Sequence, residues 1–324
     1  MKIISKDLFF EITKQFECVP YTQTLGWHSY FISDEKDDFV FLVDDESKPQ
    51  IACFGHVKRA LGFKMLLIEG ECLKLASYKS VLIKSFYEGF PQLNFDMVEV
   101  VSNSIYNSEF EIGIRRAGFL RPVGSFSMPL SNWINLKEEI QYNSNWKRNN
   151  KKSLDFKLSF ELHETPTDDL IQTVISLYNQ FTQEKGFAHQ LHVESTKRLL
   201  QSDNFSLAVV TNEEKSIVSF IIFHQNKHHA GLLYAAKSED AKENGATFFM
   251  YSSLFEALKD KGIETFDMEK LVPSTHSTDG VFLFKDGVKG DRVVYNGEWS
   301  WYKKSIYRPL MYFVKKGLFK KREI

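Results

Sequence analysis

Asp267 and Glu269 stand two residues apart where the run 265–268 would end as a strand. α/β proteins commonly present site residues at the C-terminal ends of strands. A carboxylate there can accept a proton or orient an amine, and it can equally cap a loop. Lys285 follows Phe284 in a short Phe-Lys pair. A cation so placed can stabilise an oxyanion, although a lysine in a loop is ordinarily just surface. Gly245 precedes a helix-like run at 247–261. A helix N-terminus offers free N–H groups and the positive end of a dipole to a phosphate, but such a glycine is more often a plain turn. His189 and His192 are spaced for one helical face, and His224, His228 and His229 flank a turn. Without neighbouring Cys or a recognised carboxylate set they read as surface or hairpin histidines, so no metal is expected. The chain has no nucleophile elbow, Walker loop, HExxH or CxxC.

The elements that would carry these residues are written twice, about 166 residues apart. Strand-like runs at 39–43, 50–57 and 64–68 have counterparts at 205–210, 216–223 and 230–236. Each triplet is followed by a helix pattern, near 73–87 and 247–261, and then by one more strand, at 97–101 and 265–268. The period far exceeds that of solenoid repeats, so the pattern predicts a duplicated α/β domain with mixed sheets.

The 324 residues suffice for two ordinary domains, and 43% hydrophobic with 26% charged residues excludes a wholly disordered chain. The 29 Phe sit mostly inside strand and helix patterns and read as core. Cys18, Cys53 and Cys72 are odd in number and unpaired by motif, which fits a reducing cytoplasm. The N-terminus interleaves charges with apolar residues rather than forming a signal-peptide core, and no apolar run approaches the ~20 residues of a bilayer span.

Along the chain, 5–17 reads as a helix, 119–130 as a long extended segment, 156–162 as a strand, 167–185 and 193–201 as helices, and 272–280 as irregular. The stretch 143–153 has four cations in the six residues 147–152 and reads as a linker. The expected domains are therefore 1–145 and 146–304, the second carrying the site. The remaining 305–324 form a basic helix with Ile306, Leu310, Phe313, Val314 and Leu318 on one face, expected to pack back on the first domain. From Lys303 onward eight basic residues face Glu323 alone, a local charge of +7, so the rest of the chain carries −8 against a net −1. Such charge is either the solvated side of a packed helix or an electrostatic foothold on anionic lipid or RNA.

The stretch from Asp267 to Trp301 resembles the C-terminal signature of the Fem family of aminoacyltransferases. The residues that carry the likeness are Asp267 at the strand end, Phe284-Lys285, the turn glycines Gly287 and Gly290, and Tyr295-Asn296-Gly297-Glu298. Lys147-Arg148 and Lys151-Lys152 resemble that family's Arg-rich helix start, and Gln23-Thr24-Leu25-Gly26-Trp27 its Gln-x-x-x-Trp. The segment 242–247 is similar to the pyrophosphate loop of GNAT-fold acetyltransferases, with Asn244 and Gly245 at its centre. The resemblance spans nearly the whole chain and implies two GNAT-like domains in tandem.

It further implies acyl transfer from an activated donor, aminoacyl-tRNA or acyl-CoA, to an amine on a small-molecule or lipid-linked acceptor such as a peptidoglycan precursor, with no permanently bound cofactor. Lys285, Asp267 and Glu269 would be catalytic. Phe284, Asn244, Gly245, Tyr295, Glu298, Lys147, Arg148 and Trp27 would bind donor or acceptor. Tyr30 or Phe31 stands where that family places a basic residue on the helix carrying Trp27, and the chain has no room for the long paired-helix arm of some members. Localisation would be cytoplasmic, with peripheral contact to the inner membrane face through the basic helix. A catalytically silent binding module on the same fold is the alternative.

Overall fold

The computed structural model describes residues 1–17, 19–32, 38–60, 62–74, 78–123, 129–186, 189–274 and 279–319. The first part of the chain forms β1 (Lys2–Ile4), α1 (Lys6–Thr13), α2 (Leu25–Phe31), β2 (Asp38–Val43), β3 (Ile51–Ala60), β4 (Phe63–Glu69), β5 (Cys72–Leu73), α3 (Ser80–Tyr87), β6 (Met97–Ile105) and α4 (Ser108–Arg116). Next come β7 (Leu130–Asn135), α5 (Ser144–Ser153), β8 (Ser159–His163), α6 (Asp168–Glu184), α7 (Val193–Leu200), β9 (Phe205–Thr211), β10 (Ile217–Gln225) and β11 (His229–Lys237). The chain closes with α8 (Ala241–Asn244), α9 (Ala246–Asp260), β12 (Thr265–Asp267), α10 (Gly280–Asp286), β13 (Asp291–Tyr302) and α11 (Tyr307–Phe319).

The chain divides into two compact units. One comprises Met1–His28, Ser33–Pro129 and Val294–Ile324; the other comprises Ser29–Ile32 and Leu130–Val293. In the first, the strand order is β1-β2-β3-β4-β6-β13, with β5 added to β3 and with β4 and β6 the parallel pair. In the second it is β8-β9-β10-β11-β12-β7, with β11 and β12 parallel. Three antiparallel strands, a crossover helix and a parallel fourth strand thus recur, as the duplicated pattern predicts. Parallel neighbours require such a crossover, which α3 and α9 supply. The stretch 143–153 forms a helix, α5, within the second unit, and the run 293–301 belongs to one strand, β13.

Each sheet buries one face under its helix. In α9, Met250, Tyr251, Leu254, Phe255 and Leu258 recur at helical spacing and pack on Ala208, Val210, Ile221, Phe223 and Phe266. In the first unit Ile83, Phe86 and Tyr87 of α3 meet Leu66, Ile68, Val98 and Val100, and β13 contributes Trp299. Burying each such side chain contributes about 1.5–3 kcal/mol.

Helix α11 belongs to the first unit, where Tyr307 sets its ring against Phe63 at 5.0 Å. Of the stripe expected to pack, Ile306, Leu310 and Phe313 do not, being 65%, 43% and 69% exposed. Val314 of that stripe is partly inward, together with Tyr307 and Met311. The inward set is displaced by one residue from Ile306, Leu310 and Phe313, hence by about 100° around the axis. Cys18, Lys320, Lys321, Arg322 and the side chains of Lys242, Lys315, Lys316 and Leu318 lie outside the described residues.

Candidate active site

The site is built on the second unit at the end of β12. Asp267 is buried, and its Oδ1 accepts the hydroxyl of Ser131 on the adjoining strand β7 and the backbone N–H of Glu269 at 2.7 Å. That second bond folds the chain back immediately after the strand. Glu269 takes a left-handed backbone, φ +56°, a conformation uncommon for a residue with a Cβ. The bend is therefore held by its neighbours, and it sets the Glu269 and Lys270 carbonyls side by side. Lys285 Nζ donates to both, at 2.9 and 3.0 Å.

Helix α10 brings Lys285 there. Asp279 caps its start by accepting Phe282 N at 3.0 Å. Asn132, next to Ser131 on β7, donates its Nδ2 to the carbonyls of Lys285 and Val288, each at 3.0 Å. From the other side Trp146 Nε1 donates to the Phe284 carbonyl at 2.8 Å, and its indole lies against the Phe284 ring at 4.7 Å. A Cβ on Gly287 would meet that indole at 2.4 Å, so this turn requires glycine for close approach. Phe284 itself packs between Trp146, Phe248 and Tyr251.

Burial, and after it the neighbouring Asp267 carboxylate, together push the Glu269 carboxyl up to about 8, against the downward pull of Lys270 and Lys285. Burial also lowers the Lys285 ammonium, against the upward pull of Glu269 and Asp267. Two carboxyls and one amine thus share a partly desolvated corner, the arrangement that tunes acid–base groups toward neutral pH.

Two histidines belong to the same face, His224 and His229, which the sequence reading took for surface or hairpin residues; His224 is buried. His224, Gly231, Asp267 and Trp133 are register partners across β10, β11, β12 and β7. The His224 ring crosses over Gly231: a Cβ there would meet His224 Nε2 at 2.4 Å and Asp267 Cβ at 3.2 Å. His229 bonds Thr265 Oγ1 through Nδ1 at 2.7 Å and lies 5.9 Å from the His224 ring. Burial lowers both imidazoles, and Asp267 partly opposes this at His229. The signal that could have found them was a glycine paired with a histidine on adjacent strands. Among the described residues no group of three or more His, Cys, Asp or Glu is arranged to hold a metal ion.

The remaining expected residues have the following local settings. Gly245 is left-handed, φ +70°, and a Cβ on it would meet the Asn149 carbonyl of α5 at 2.6 Å. Asn244 Oδ1 accepts the N–H of Ala246 at 2.9 Å, so its own side chain occupies the start of α9. Lys147, Arg148, Lys151 and Lys152 form the exposed side of α5, opposite Trp146, Asn149, Asn150 and Ser153. Trp27 lies in the first unit, its Nε1 donating to Glu69 Oε2 at 3.0 Å. Tyr295 and Glu298 lie there too, on β13 beside β6.

The first unit has a buried carboxyl of its own. Glu71, 2% exposed, accepts the hydroxyls of Ser102 at 2.6 Å and Ser104 at 2.7 Å. Burial raises it to about 7.

Comparison with solved structures aligns all of this chain with all of FemX, at TM-score 0.71 and 10% identity. The fold is the Fem-like tandem GNAT acyltransferase fold. L-PGS from Bacillus licheniformis aligns over 98% of each chain at TM-score 0.66 and 13% identity. A tandem GNAT protein from the clavulanic acid biosynthesis pathway aligns over 92% of this chain and 93% of its own, at TM-score 0.55 and 8% identity. No protein-family model matches the sequence, and no curated protein matches it. The Fem-like fold was thus legible in motifs too dispersed for overall sequence similarity.

Proposed function

We propose that the chain is an acyltransferase of the Fem-like class, moving an aminoacyl or acyl group from an activated donor to an amine. The observation that carries this reading is the Lys285–Glu269–Asp267 corner in the second unit. An amine attacking an ester or thioester must lose a proton while an oxyanion develops. Glu269, raised toward neutral pH, accepts that proton, and Asp267 holds the bend that aims it. Of the three N–H groups of Lys285, two are fixed on carbonyls; the third, uncommitted among the described residues, faces the developing negative charge.

For the donor, the four-cation outer side of α5 favours a polyanion such as aminoacyl-tRNA. The start of α9, filled by Asn244 and pressed on Asn149, offers acyl-CoA a less open pyrophosphate cradle. The acceptor would be an amine on a small or lipid-linked cell-envelope precursor, as the Fem resemblance implies. A binding module for such a ligand is the second reading, favoured by the commitment of Lys285 to two backbone carbonyls.

The test is transfer of label from an aminoacyl-tRNA pool, and separately from acetyl-CoA, to a panel of amine acceptors. Transfer that depends on Lys285 and Glu269 is expected. Ligand binding without transfer from either donor would leave the binding module.

A further inference from the structure

We propose that α11 is an interfacial membrane helix, seating Ile306, Leu310 and Phe313 among the acyl chains of an anionic lipid surface. These residues recur at i, i+4 and i+7 and form one stripe. All three are solvent-exposed, while Tyr307 fastens the helix to the first unit through Phe63. Tyr312 is 39% exposed, and its ring sits 5.7 Å from that of Phe313. A contiguous apolar face on a soluble unit marks something that covers it.

The charge identifies the cover. The segment from Lys303 to the last residue carries +7, against −8 on the rest of the chain. An apolar stripe flanked by Lys and Arg is the composition of a helix lying in the plane of a bilayer surface. Anionic headgroups attract the cations within a Debye length, and the stripe then enters the acyl boundary. An RNA partner would use the cations and leave Ile306, Leu310 and Phe313 in water. A second copy of this chain would bring another +7 against the first. Lipid satisfies both features. No described helix is long and apolar enough to cross a membrane, so the contact is a surface one.

Flotation of the full chain with phosphatidylcholine vesicles, with and without phosphatidylglycerol, decides the matter. Wild type floats with anionic vesicles and not with neutral ones, and high salt removes only part of the binding. Leu310→Ser with Phe313→Ser weakens binding about tenfold or more at every salt concentration, each site having been exposed in the folded chain. Its far-UV spectrum and melting midpoint stay those of wild type. Changing Lys315, Lys316, Lys320 and Lys321 to Gln removes the preference for anionic lipid. The proposal fails if wild type does not float, if the double Ser variant floats equally well, or if neutral and anionic vesicles bind alike. It fails equally if sedimentation equilibrium shows a dimer that the double Ser variant abolishes.

Discussion

Lys285 Nζ donates to the backbone carbonyl of Glu269 at 2.9 Å, so the residue whose carboxyl pulls the ammonium's proton affinity upward also fixes the cation in place. Position and charge at this corner are therefore coupled. A change at either residue disturbs both.

Lys285→Ala should lower turnover about a hundredfold or more, the usual loss when a preorganised oxyanion donor is removed. The bend at Glu269 would also loosen. Lys285→Arg is expected to recover the bend without recovering the rate. Single-turnover transfer and amide exchange at Glu269 and Lys270 separate the two effects.

Glu269 as the proton acceptor must be ionised. With its carboxyl raised to about 8, transfer should climb with pH and level off above that value. Glu269→Gln should remove the limb and reduce turnover roughly 10²–10⁴-fold. A limb that persists unchanged in the Gln variant assigns the proton to another group.

Glu71 gives the first unit a stability that depends on pH. Its folded-state value, about 7, exceeds the 4.5 of a solvated glutamate, so the folded form binds the proton more tightly. The stabilisation is complete below 4.5 and is lost as pH rises through 7, by about 3 kcal/mol in all. Glu71→Gln should flatten this slope. Hydrogen exchange of the β3, β4 and β6 amides at pH 5 and pH 8 reports it for that unit alone.

Gly231→Ala should cost about 1–3 kcal/mol, because the new methyl meets His224 Nε2 and Asp267 Cβ. Pairing it with His224→Ala should restore part of the loss, giving a coupling in the double-mutant cycle. Thermal melts of the four proteins suffice.

The duplicated strand order was readable because β9, β10 and β11 are mostly apolar runs separated by polar turns. Asp267, Glu269 and Lys285 were named through position and motif, and the structure brings them together. Phe284 was named as a ligand contact; its half-buried ring packs against Trp146, Phe248 and Tyr251 at the margin of the core. A motif residue and the residue that anchors it look alike in sequence. His224 and His229 were passed over because their significance depends on register with Gly231 and Thr265, and one chain read linearly does not display register. The stretch 143–153 read as a linker from its charge; its inner side, Trp146, Asn149, Asn150 and Ser153, is too polar to announce a packed helix.

The first unit is finished by the last part of the chain. β13 pairs with β6 from Tyr295↔Ile105 to Tyr302↔Met97, and Trp299 is part of that core. During synthesis the edge of β6 stays unpaired until residues 294–302 leave the ribosome, after every strand of the second unit has emerged. The N-terminal unit therefore cannot complete its sheet before the strands of the second unit have emerged. The unit encoded later is the one free to fold earlier, and a nascent chain stalled before β13 would present an open strand edge to any neighbouring chain.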